Sequence, residues 1–221
     1  MILEPLWLTL RLALLTSFLL LLVATPIAWW LSETRSRLRP VVEAVTALPL
    51  VLPPTVLGFY LLVLFSPDAT LGAFWLKAIG STLAFSFEGL VIASILYSLP
   101  FAVQPITSAL DSVDPGTKEF ARVLGAGPTQ VFAHVSVPLA WRGFLIGFVL
   151  SFAHTLGEFG VVLMVGGNIP GETRLISLAL YEEVEVLNYA GAHQIAAILL
   201  VLSLLVLIPV YAMNRKSLIR A

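Results

Sequence analysis

Five long, mostly apolar runs constrain this chain more than any other feature. They are Pro5–Leu31, Val41–Phe65, Thr82–Val103, Gly143–Val165 and Ala190–Met213. A helix rises about 1.5 Å per residue and a bilayer core is about 30 Å thick, so about 20 apolar residues cross once. Hydrophobic residues make up 59% of the 221 and charged residues only 11%. Soluble domains average about 25% charged, so one core cannot take up this much apolar surface and lipid must solvate the rest. The expected class is an all-α integral membrane protein of five transmembrane helices, or six, with residues 1–221 forming a single membrane domain. The first run does not read as a cleaved targeting segment. Glu4 stands where basic residues would flank such a segment, and the apolar run is too long.

Charge placement gives an orientation. With five spans and the N-terminus outside, the cytoplasmic segments hold Arg35, Arg37, Arg39, Lys118, Arg122, Arg142, Arg215, Lys216 and Arg220. The outer loops hold only Lys77 and Arg174, and Arg11 lies in the first span. Cytoplasmic loops of membrane proteins carry the excess of Lys and Arg. The C-terminus and residues 111–138 then face the cytoplasm. A formal net charge of −1 argues against a nucleic-acid partner, whose footprint is a basic patch. The absence of Cys removes disulfides, thiolate metal sites and Cys nucleophiles.

Two spans carry residues that read as more than filler. The second opens with Pro49, Pro53 and Pro54. Proline removes backbone donors, and a helix broken at membrane depth is a transporter device. Two readings stand side by side: an ordinary kinked packing helix, or a broken helix lining a pathway with Pro54, Thr55 and Gly58 near the break. The fourth span carries Gly143 and Gly147, whose spacing suits close helix approach and is weak evidence for a dimer face. It then runs through His154, Gly157 and Glu158. His154 and Glu158 are four apart and would share a helix face. They read either as a structural pair beside a break at Gly157 or as a proton relay or gate. Trp29 and Trp30 suit an interfacial belt. Glu88 suits the headgroup level at the outer end of the third span. In the outer loop Gly166–Tyr189, residues Leu175–Tyr181 read as a short surface helix. Glu182, Glu183 and Glu185 read as a solvated face, or as a docking patch for a basic partner.

The polar segment EFARVLGAGPTQVFAHVSVP, Glu119–Pro138, is unlike the rest. Asp114-Pro115 is an N-cap followed by proline at the first helical position. A short helix through Leu124 should stop at Gly125, where glycine permits a left-handed cap. Pro128 should start a second short helix that ends before Pro138. Phe120, Leu124, Val131 and Phe132 give the pair an apolar side too large to leave in water.

This segment resembles the EAA loop of bacterial binding-protein-dependent ABC importer permeases. Glu119, Ala121, Gly125 and Pro138 match in register. Phe120 stands for the first Ala of that pattern, and Val135 and Val137 for its Ile and Leu. The stretches ALPLVLPPTVLGFYLL and TLGEFGVVLMVGGNIPGETRLISLALY are similar to the molybdate permeases of the family, with the longer sulfate and thiosulfate permeases the alternative. The resemblance implies a type I ABC importer permease fold in the bacterial cytoplasmic membrane. It implies an ATPase-coupling loop at 111–138 in which Glu119, Phe120, Ala121, Leu124, Gly125, Ala126 and Gly127 meet the ATPase. The implied partners are a second permease copy, two cytoplasmic ATPase subunits and an oxyanion-binding protein outside. ATP and Mg would bind to the ATPase, leaving this chain with no cofactor and no catalytic residue of its own. Consistent with that, no G-x-x-x-x-G-K-[ST] phosphate loop occurs, and GAGPTQ lacks the lysine. No zinc spacing or G-x-S-x-G elbow occurs either. An intramembrane enzyme using His154 and Glu158, and a passive channel, remain the readings from other classes.

Overall fold

The computed structural model describes residues 2–218; Arg220, counted above among the inner cations, lies outside them. Among the described residues the chain forms eleven α-helices and no strand. In order they are α1 (Leu3–Glu33), α2 (Arg39–Ala47), α3 (Pro54–Phe65), α4 (Thr70–Ile79), α5 (Phe87–Asp111), α6 (Pro115–Val123), α7 (Pro128–Val131), α8 (Val137–Leu156), α9 (Gly160–Gly166), α10 (Ile176–Glu185) and α11 (Tyr189–Leu218). Four helical stretches are long and apolar enough to cross a bilayer: α1, α5, the continuous Pro128–Leu156, and Tyr189–Val210 of α11. A fifth crossing appears when the bent pair Arg39–Leu50 and Pro54–Phe65 counts as one span.

The centre is a packed trio of α1, α5 and α8. Leu20, Ala24, Ala28 and Leu31 of α1 meet Ala102, Ile106 and Leu110 of α5 and Ala140 of α8. Lipid tails are as apolar as these side chains, so tight packing must hold the helices together. Small residues supply it. A Cβ added at Gly143 would fall on the Ala109 Cβ, and one at Gly147 would come within 3.3 Å of the Ala102 Cα. The Gly143/Gly147 pair is therefore spent on an internal crossing and is not available as a dimer face. By contrast α11 lies at the periphery against α10 and α8, with Leu200, Leu204, Leu205 and Ile208 exposed.

The structure corrects several expected boundaries, each for a local reason. The second apolar run is not one straight helix. Its halves meet at 105° after a 3₁₀ turn at Leu48–Leu50. Pro54 holds the preceding Pro53 in extended backbone (ψ 135°), so the helix stops and restarts with Pro54 at its first position. The third run becomes helical at Phe87 rather than Thr82, because the Ser86 side chain accepts the Gly89 N–H as an N-cap. It continues to Asp111, which places Pro100 mid-helix. The fourth run is helical well before Gly143, stops at Leu156 and resumes as α9. α10 extends the expected outer helix to Glu185. Its first turn is buried rather than superficial: the Ile176 N–H donates to Thr9 Oγ1 of α1 at 2.9 Å.

Gly147→Leu should force α5 and α8 apart. The expected cost is about 1–3 kcal/mol, the usual penalty of overpacking. It would be read as a lowered midpoint of thermal unfolding in detergent, with an outward-facing control such as Leu204→Met unchanged.

Candidate functional site

One candidate site is the polar segment joining α5 to α8. The Asp114 carboxylate accepts the Thr117 N–H at 2.8 Å and so caps α6. That bond holds the Asp114 carboxyl below its usual range. At the far end Gly125 has φ +92°, and its N–H donates to the Arg122 carbonyl at 2.9 Å. The Ala126 N–H donates to the Ala121 carbonyl at 3.1 Å. These two bonds are the 5→2 and 6→1 pair of a Schellman cap, and they need a left-handed residue at Gly125. A Cβ at Gly125 would meet nothing within 4 Å, so conformation rather than crowding explains the glycine.

The expected apolar side of this segment splits in two. Val131 is buried, and Phe132 stacks on Trp29 with ring centroids 4.4 Å apart. Trp29 is thus a packing partner, while Trp30 stays exposed. Phe120, Val123 and Leu124 remain 66%, 84% and 72% exposed. Val123 is the most exposed of the three and did not stand out in the sequence, although its place three residues after Phe120 puts both on one helix face. Glu119 is exposed, and Ala121, Ala126 and Gly127 are half-buried. The second short helix does not end before Pro138. It passes through a π-turn at Phe132–Ser136 straight into α8. Pro138 lacks an N–H and its ring would strike the carbonyl four residues back; a widened turn accommodates both.

The second candidate site lies where α8 breaks. Glu158 is 3% exposed. Its Oε2 accepts the Ser94 hydroxyl of α5 at 2.7 Å, and its backbone carbonyl accepts Ser177 Oγ of α10 at 2.6 Å. Glu158 Oε1 has no partner. His154 Nδ1 hydrogen-bonds with Ser98 Oγ at 2.9 Å, and its ring stacks on Phe101 at 4.1 Å. So His154 and Glu158 are not paired with each other. The helix ends between them at Leu156, and each engages a different serine on α5. Ser94 and Ser98 match the four-residue spacing of Glu158 and His154, a signal visible in the sequence only once the two helices are known to be neighbours.

The remaining pathway candidates fall on two half-helices packed together. A Cβ at Gly58 would lie 2.8 Å from Met164 Cβ, and one at Gly160 would lie 2.8 Å from Pro54 Cβ. The segment after each break, α3 and α9, therefore crosses the other at near backbone contact. Gly58 is buried in that crossing, Pro54 is half-buried, and Thr55 and Gly157 are exposed. Among the described residues no group of three or more His, Asp or Glu is arranged to hold a metal ion.

Ser94→Ala leaves the Glu158 carboxyl without a partner and should cost about 1–3 kcal/mol, read as a lowered unfolding midpoint in detergent that Ser94→Thr recovers. Gly125→Ala should destabilise the α6 cap by about 1–2 kcal/mol through its backbone alone, read as faster amide exchange at Gly125 and Ala126.

Comparison with known proteins agrees with the architecture. The family described as "Binding-protein-dependent transport system inner membrane component" matches residues 24–218. The Azotobacter vinelandii molybdenum transport system permease protein ModB is 52% identical over 94% of this chain and 92% of its own length. The Escherichia coli sulfate transport system permease protein CysT is 32% identical over 86% of this chain and 68% of its own. In fold, the chain superposes with TM-score 0.75 on the solved bacterial alginate ABC transporter in complex with an alginate pentasaccharide-bound periplasmic protein. That match covers 96% of this chain and 78% of the other at 18% identity. Crossing helices, the capped polar loop and this match over residues 24–218 agree that the chain belongs to the family of binding-protein-dependent transport system inner membrane components.

Proposed function

We propose that this chain is the membrane-spanning permease subunit of an ATP-driven importer of molybdate, working by alternating access. It is a single transmembrane domain in which residues 111–138 form the coupling loop to a cytoplasmic ATPase. The observation that carries the coupling reading is the set Phe120, Val123 and Leu124, held in solvent on a helix capped at both ends. A rigid helix showing a compact apolar face suits a hydrophobic cleft on a partner. Glu119, Ala121, Gly125, Ala126 and Gly127 shape that face. The anion rests on similarity: the molybdenum permease shares 52% identity with this chain and the sulfate permease 32%.

The working unit is two copies of this chain, two ATPase subunits that bind ATP and Mg, and a soluble oxyanion-binding protein outside. It sits in the bacterial cytoplasmic membrane, with the N-terminus outside and the C-terminus inside, the orientation that the Lys and Arg bias favours. Nucleotide binding biases the pair of permeases toward one of two states, and the loaded binding protein biases it from the other side. The pathway runs past the breaks in the second and fourth spans, by Pro54, Thr55, Gly58, His154, Gly157 and Glu158. A dianion in low dielectric is costly. Hydroxyls and backbone N–H groups where α3 and α9 meet suit its passage better than a cage of fixed charge.

The test is uptake by the reconstituted transporter with its binding protein. Molybdate should enter only with ATP and should be displaced by tungstate, with sulfate ineffective at equal concentration. Phe120→Asp with Leu124→Asp should abolish ATPase binding in pull-down while leaving the permease in the membrane fraction. Displacement by sulfate would move the assignment to the sulfate branch, and flux without ATP would make it a channel.

A further inference from the structure

We infer that Glu33, the last residue of α1, is the positioning residue that ties the coupling helix α6 to the membrane bundle and carries its motion into α1. The inference rests on the importer reading above and assigns a residue that no part of that reading requires.

α6 has almost no packed attachment of its own. Its single buried residue is Lys118, at 9% exposure. Lys118 Nζ donates to Glu33 Oε1 at 3.0 Å and to the Leu110 carbonyl near the end of α5 at 3.3 Å. Arg122, one turn further along the same face of α6, donates from Nη2 to Glu33 Oε2 at 2.9 Å. One carboxylate therefore takes both cations of the helix, one on each oxygen. Leu31 of α1, Leu110 of α5 and Val113 after it belong to one core cluster directly behind this junction. The three-way contact of Glu33, Lys118 and Leu110 thus joins α6 to two helices of the central trio, α1 and α5.

Packing does not duplicate the link. A cavity of about 350 Å³ opens beside it, lined by Trp29, Trp30, Phe132 and Ser136 as well as Glu33 and Arg122. Away from the junction α6 contacts the α7 turn and the π-turn that leads into α8. Force applied to Phe120, Val123 and Leu124 reaches the bundle along the chain, through the buried Val113 to α5 and through Gly125 to α8, across the contacts of α6 with α7 and the π-turn, and through the ion pairs at Glu33 to α1. Of these links the ion pairs at Glu33 are the ones that reach α1, so Glu33 is the residue through which a tilt of α6 is passed to that helix. Glu33 is partly open to water, and ion pairs of that kind contribute little to global stability; the buried Lys118 keeps the Leu110 carbonyl as a partner when Glu33 is removed. Its removal should change coupling rather than folding.

The experiment uses the complete complex, with ATPase and binding protein, in proteoliposomes. ATP hydrolysis and anion uptake are measured together for Glu33→Ala, Lys118→Met and the charge-exchanged double variant Glu33→Lys with Lys118→Glu. The single variants should keep hydrolysing ATP while the number of ATP molecules spent per anion rises about fivefold or more, the lower range of measured allosteric couplings. The double variant restores the 33–118 pair but loses the bonds to Arg122 and to the Leu110 carbonyl, so it should bring the ratio part of the way back toward that of the parent. An unchanged ratio in Glu33→Ala overturns the proposal. So does loss of the ATPase from the purified complex that the double variant restores, because the junction is then an assembly contact. Absence of ATP-driven uptake in the parent complex would instead defeat the importer reading.

Discussion

Hydrocarbon offers no hydrogen-bond partner to a backbone group, and the arrangement of this chain follows from that constraint. A helix that stops inside a membrane must bury its loose ends against protein. This chain stops two spans, at Pro53 and at Gly157, and packs the helices that follow each break against one another. Gly58 and Gly160 permit the approach. Near the second break Glu158 Oε2, the Glu158 carbonyl and His154 Nδ1 find serines on α5 and α10 as partners, while Glu158 Oε1 is enclosed without one. The trio of α1, α5 and α8 supplies the fixed frame for this, and it can do so because alanines and glycines line its crossings.

The two candidate sites differ in how they are held. At the break, Glu158 is bound to two helices and enclosed, and disturbing it disturbs the bundle. At the polar loop, α6 is capped at both ends by its own sequence, follows α5 through the buried Val113, and is tied to α1 by ion pairs at Glu33. The coupling role proposed for α6 suits the second kind of attachment, because charge pairs can break and re-form without opening a core. The interior suits the first kind, since an unpaired polar group there has no alternative partner.

Much of this was legible in the residues, and the misses are instructive. Asp114-Pro115 and Gly125 marked the ends of α6, because caps depend on neighbours within a few residues. Pro53-Pro54 and Gly157 marked the breaks for the same reason. The π-turn was not legible: Pro138 reads as a terminator, yet the helix runs through the widened turn into α8, with Val131 buried and Phe132 stacked on Trp29. The Gly143/Gly147 spacing gave the right property, close approach, with the partner left open, and the partner proved to be α5. His154 and Glu158 looked like a pair because four residues on a helix share a face, but the helix ends between them.

The sequence by itself determined the membrane class, the number of long apolar runs, the helix caps and the break points. Each of these is set by local chemistry or by composition over one segment. Only the tertiary structure decided that α3 meets α9, that Ser94 and Ser98 receive Glu158 and His154, and that Glu33 reaches Lys118 across 85 residues of chain. Contacts of that kind depend on which helix faces which. In a chain so uniformly apolar, hydrophobic pattern does not choose between faces, so shape at small residues and scarce polar partners make the choice.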